Sequence, residues 1–166
     1  MTEDVELNEW RCAARRALLS GSAAGVLSGI ALSACSKVEQ DAPAAALNGP
    51  SQWLWGEDEA RTQRATLRHT LTGYAIHHLA SMFWATLHER QFGAAPKGAA
   101  LHCLEAAVTT TTAYFVDYHL APSRLRPGFK KHLGPASLFV AYAAFAGGLA
   151  LAAIARDRQP VRPSGR

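Results

Sequence analysis

The chain has 166 residues and a net charge of +4, from 17 Lys and Arg against 13 Asp and Glu. That length favours one domain. Its basic residues form no continuous stripe, which argues against a nucleic-acid partner. Three cysteines, Cys12, Cys35 and Cys103, with no CxxC exclude both a disulfide scaffold and a zinc site.

Mean hydropathy is −0.03, close to that of a soluble protein, but the average conceals bunching. Nearly all apolar residues fall in residues 17–35, 70–87, 98–116 and 133–155. A helix of about 20 residues crosses the hydrocarbon core of a bilayer. The expected fold is therefore all-α, an integral membrane bundle of four transmembrane helices. The membrane domain covers residues 17–155, between an N-terminal tail (1–16) and a basic C-terminal tail (156–166).

In chain order, "MTEDVELNEW" is acidic and aperiodic and reads as a tail at the membrane surface. After Arg16 no charge occurs until Lys37. Gly21, Gly25 and Gly29 recur every fourth residue, so they share one helix face. In lipid such a face admits another helix backbone at close range. This run closes on "LSACSK", which matches a lipoprotein processing site at Cys35. Four acids in the first nine residues and the three later apolar runs argue against processing. An intact first helix with unmodified Cys35 is expected, and a lipoprotein processed at Cys35 is the alternative.

The connector from Ser36 to His69 holds "LNGP", a turn signal, and Trp53 and Trp55, which suit a membrane–water interface. The second span contains His77 and His78. The third contains His102, Glu105 and a run of four threonines. Threonine favours strands, but inside an apolar helix its hydroxyl bonds back to a carbonyl one turn earlier, so a helix is expected. The link "DYHLAPSRLRPGFKKHLGPAS" combines three prolines with Arg124, Arg126, Lys130 and Lys131 and reads as a headgroup-facing loop, with Arg124 or Arg126 as ion partner for Asp117. In the fourth span Ala143/Gly147 and Ala144/Gly148 offer further small faces.

"LNGPSQWLWG", "YAIHHLASMFWATLHER" and "VDYHLAPSRLRPGFKKHLGPASLFVAYAAFAGGLA" resemble small multi-pass inner-membrane proteins of bacteria that have no assigned activity. The resemblance implies the bacterial inner membrane and the span number. It carries over no catalytic residue. Lys and Arg are nearly balanced on the two sides, and the two short tails select N-in/C-in.

His77, Ser81, Trp84 and His88 share one face of the second span; His102, Glu105, Thr109 and Thr112 share one face of the third. Ionisable groups at such depth face the bundle interior. These stripes are expected to meet, with Glu105 accepting from His77 or His78. The set His77, His78, His102 and Glu105 reads first as structural interhelical bonding. The alternative is a proton path, small transporter or haem- or metal-binding redox subunit. No HExxH, GxSxG, GxGxxG or Walker pattern is present. The favoured function is therefore non-enzymatic, that of an accessory or assembly subunit. Its expected partners are the lipid bilayer and a second copy or another membrane protein, and no cofactor is favoured.

Overall fold

The computed structural model describes residues 2–158, and residues 159–166 of the expected basic tail lie outside them. The described chain is helical with no strand. Four long helices, α1 (Thr2–Gln40), α4 (Thr72–Phe92), α5 (Ala99–Phe115) and α6 (Pro135–Asp157), form an antiparallel bundle. Two short helices, α2 (Ala45–Asn48) and α3 (Gln52–Trp55), belong to the connection between α1 and α4. Two segments, Glu3–Gln40 and Pro135–Asp157, are long and apolar enough to cross a membrane. Residues 70–87 and 98–116 are helical but fall short of that measure. The reason is composition: α4 carries His77, His78, His88, Glu89 and Arg90, and α5 carries His102, Glu105 and four threonines in only 17 residues.

α1 has 39 residues, roughly 58 Å at 1.5 Å per residue. Glu3 and Asp4 in its first turn and Lys37 in its last complement the helix dipole. The helix stops at Asp41, whose φ of 54° is left-handed, a conformation that Asp tolerates better than most residues. Residues 2–16, read from sequence as a tail, are thus the first four turns of α1. Residues 3–12 are all exposed, so this part projects past the bundle. It is tied down by Glu9, 2.6 Å from Arg90, and by the Arg90 guanidinium 5.6 Å from the Trp10 ring.

α1 is the central helix, packed on α4 at one side and α6 at the other; α5 packs mainly on α6 and touches α4 little. Small residues set the spacing. Gly21 faces Met82 and Ala85, Gly25 faces His78 and Ser81, and Gly29 faces Tyr74, so the glycine face lies against α4. On α6 it is Gly148 that meets α1, against Ala24, while a Cβ at Gly147 would meet nothing. Ala17, Ala24, Ala85, Ala106, Phe145 and Leu149 complete one half of the core.

The other half runs into a cap made of residues 41–71 and 116–134. The sequence reads most of these residues as a polar connector, with a charged helical lead-in to the second span, and a headgroup-facing link, but they hold a buried polar knot. The Asn48 amide donates to Thr62 O at 2.7 Å and Arg64 O at 3.1 Å, and the Thr70 hydroxyl donates to Asn48 Oδ1 at 2.7 Å. The Gln52 amide donates to Ser123 O and Arg126 O, at 3.1 and 2.6 Å, and Lys131 Nζ donates to Gln52 Oε1 at 2.7 Å. The backbones of Gly49 and Gly128 lie so close that a side chain on either would meet the other, and Gly128 has a φ of 76°. His132 Nε2 donates to Ala60 O at 2.9 Å. Burial holds its imidazole below the ordinary histidine pKa, against the opposing pull of that bond. Trp53 and Trp55 are part of the same cap: their indole N–H groups donate to Arg126 O and Arg68 O, at 3.3 and 3.1 Å.

Candidate functional site

The histidine and charged side chains of α4 and α5 are buried or half-buried, while Gln91, Thr111 and Thr112 are exposed. On α5, His102, Glu105, Thr109 and Thr110 are buried, while Leu101, Leu104, Val108 and Phe115 are exposed. On α4, Ser81, His88 and Glu89 are buried, while Leu79 and Phe83 are exposed. The threonine run is helical. Thr112, assigned from spacing to the inner face, points outward and donates to Val108 O at 2.9 Å; Thr110 takes the inner position.

The two polar stripes meet at one point. His88 Nδ1 lies 2.8 Å from Thr109 Oγ1, and the Thr109 hydroxyl donates to Glu105 O at 3.0 Å. With the threonine proton so committed, His88 Nδ1 is the donor. Around this contact, at the end of the bundle that holds Arg16, residues 93–98 and the end of α6, lies a layer of ion pairs. His102 Nε2 is 2.7 Å from Asp157 Oδ2, which also accepts from the Lys97 backbone N–H at 2.8 Å. Lys97 Nζ lies 2.5 Å from Glu105 Oε1, and Arg156 Nη1 lies 2.7 Å from Glu89 Oε2. Arg16 Nη1 donates to Gly93 O at 2.5 Å.

His102 and Glu105 are therefore together, with His102 Nδ1 3.7 Å from Glu105 Oε2. His77 and His78 are not with them. They sit farther along α4, towards the cap, and turn to α1. His77 Nε2 lies 3.0 Å from Ser28 Oγ and 3.2 Å from Gly25 O. Ser28 already donates its proton to Ala24 O at 2.6 Å, so His77 is the donor through Nε2, and its Nδ1 is an acceptor with no hydrogen-bond partner among the described residues. His78 Nδ1 is buried against the Gly25 position without a hydrogen-bond partner among the described residues. The expected bond from His77 or His78 to Glu105 is not formed. Among the described residues no three His, Cys, Asp or Glu side chains are placed to hold a metal ion.

Sequence reading missed the partners of this layer. Lys97 was a residue before a span, Glu89 lay in a short link, and Arg156 and Asp157 belonged to the C-terminal tail. The available signal was helix periodicity: Glu105 to Thr109 and Glu89 to Ala85 each continue an inward face by one turn. Asp117 also departs from expectation. It accepts from the Tyr142 hydroxyl at 2.7 Å, while Arg124 and Arg126 donate through Nε to Trp53 O and Ala121 O. Cys35, five residues before the end of α1, is half-buried beside Leu32 and Tyr118; Cys12 and Cys103 are exposed.

Where α4 and α5 diverge, between the His88–Thr109 contact and the cap, a cavity of about 520 Å³ opens. That volume falls within the range of small-molecule sites, roughly 300–1,000 Å³. Its lining is mostly apolar, with His77, Ser81 and Asp117 among the few polar residues. The chain matches no protein-family model, no curated protein and no solved structure.

Proposed function

We propose that this chain is a four-span integral membrane protein of the bacterial inner membrane, with a non-enzymatic role as an accessory or assembly subunit. The observation that carries the reading is the inverted burial of α5. A helix on the surface of a water-soluble protein buries its apolar stripe and exposes its charges. α5 does the reverse: His102 and Glu105 face inward, and no charged residue lies on its exposed face. α4 repeats the pattern through Leu79 and Phe83. α1 presents Leu18, Leu19, Val26, Leu27 and Ile30, and α6 presents Phe139, Val140 and Leu151. Such faces are stable against acyl chains, and polar groups turned inward avoid the cost of hydrocarbon exposure.

The low overall hydropathy of α4 and α5 fits this arrangement, because their polar groups pair inside the bundle. Arg15, Arg16, Arg90, Lys97 and Arg156 lie at the end where α1 begins and α6 finishes, the side that N-in/C-in puts in the cytoplasm, while the cap end carries a comparable number of Lys and Arg. The projecting part of α1 offers Val5, Leu7 and Trp10, all exposed, to the membrane surface or a partner subunit. Chain recovered after expression stays in the membrane pellet on washing with alkaline carbonate; its release into the supernatant contradicts the four-span reading.

A further inference from the structure

The cavity between α4 and α5 has a mouth that identifies what enters it. Leu79 and Phe83 both line it and stand 68% and 58% exposed. The opening thus lies on the apolar outer face of the bundle, the face that the four-span reading, on which this inference rests, puts against lipid. A ligand arriving there comes from the bilayer and has an apolar body.

The interior adds two requirements. Aromatic rings, including Trp53, Trp84, Phe129 and Phe145, make up much of the wall, and they favour a planar ring by offset or edge-to-face stacking. Two polar groups on opposite helices retain an unused acceptor. Asp117 Oδ2 takes the Tyr142 proton, and Oδ1 has no partner among the described residues. His77 Nε2 is engaged with Ser28 and Gly25, which leaves Nδ1 as a lone-pair acceptor. Asp117 stands where α5 gives way to the cap, so a polar head lies towards the cap and an apolar tail extends along the α4–α5 gap. Both residues line the cavity, and a ring carrying two hydroxyl groups offers a donor to each acceptor.

We propose that this cavity is a binding site for a lipophilic hydroquinone, its ring among the aromatic residues and its hydroxyls donating to Asp117 and His77. Binding alone is meant, with no electron transfer.

The test uses the full chain purified in mild detergent. A decyl-substituted hydroquinone, handled without oxygen, and its dimethyl ether are titrated while tryptophan fluorescence is followed, since Trp53 and Trp84 line the cavity. The hydroquinone is expected to bind saturably and at least about ten-fold more tightly than the ether, the effect of losing one hydrogen bond to a charged group. Asp117→Leu should weaken hydroquinone binding about ten-fold, the loss of one of its two hydrogen bonds, and leave the affinity of the ether unchanged. Ala80→Phe, which adds a ring to the cavity wall and leaves both acceptor residues in the chain, should abolish saturable binding with an unchanged helical spectrum. Equal affinity for hydroquinone and ether, full hydroquinone affinity in a folded Asp117→Leu, or the absence of saturation overturns the proposal. Because the titration is done in micelles, a chain that resists carbonate but binds no hydroquinone contradicts this site alone. A chain released by carbonate contradicts the four-span reading whatever it binds.

Discussion

Replacing Arg156 by methionine is expected to cost about 3–5 kcal/mol, the usual penalty for leaving one partner of a buried ion pair uncompensated. Glu89 is the reason. Its side chain is 1% exposed, Arg156 Nη1 is 2.7 Å from Oε2, and Oε1 already lacks a hydrogen-bond partner among the described residues. Removing the guanidinium leaves a buried carboxylate without its ion pair, in a small pocket lined by Arg15, Arg16, Leu19 and Ser20 of α1 and Ala152 of α6. The double variant Glu89→Gln/Arg156→Met should recover most of the loss, because a neutral amide carries a far smaller desolvation cost. Unfolding in a graded mixture of dodecyl maltoside and SDS reads both values. Equal destabilisation in the single and double variants would show that Arg156 acts through packing of its stem and not through charge.

Gly148→Ala is expected to destabilise by about 1–3 kcal/mol, the range for overpacking a close contact, whereas Gly147→Ala stays within about 0.5 kcal/mol. A Cβ at position 148 would overlap the Ala24 backbone N and Cα and come within 2.8 Å of the Ala23 carbonyl carbon, while one at 147 meets nothing within 4 Å. Those obstructing atoms are backbone and cannot rotate away, so α1 and α6 must separate. The same denaturant titration compares the pair. Adjacent glycines with identical chemistry isolate the geometry: similar losses at both positions would mean that helix propensity decides, and not the α1–α6 approach.

Some of this was legible in the sequence because the signal is local. The four-residue spacing of Gly21, Gly25 and Gly29 specifies one face, and the structure lays that face on α4. The apolar runs locate the four long helices to within a few residues, apart from the start of α1. What spacing could not give is the partner across a gap. His77 and Glu105 are both inward residues on their own helices, yet they stand at different heights in the bundle, and height depends on the register between α4 and α5. The bond from the Lys97 backbone N–H to Asp157 and the ion pair of Arg156 with Glu89 tie residues 60 and 67 positions apart. Charges at span boundaries also read as flanking residues, so Arg156 and Asp157 looked like the beginning of a tail. The cap was hidden for a different reason. Asn48 and Gln52 occur in a turn-forming, polar stretch, and only the return of residues 116–134 onto it buries them.

The most direct test of the four-span arrangement is the accessibility of α5's outer face in sonicated membranes, where both surfaces meet the reagent. Two single-cysteine chains are compared, one retaining Cys12 and the other carrying Val108→Cys, with the remaining cysteines changed to serine. Cys12 lies in the exposed part of α1 beyond the bundle, and Val108 is 49% exposed midway along α5. With α5 in lipid, a membrane-impermeant maleimide modifies Cys12 readily and leaves position 108 unmodified until the membranes are dissolved in SDS. Modification at position 108 in intact membranes, at the rate of Cys12, would place that apolar face in water and contradict the arrangement.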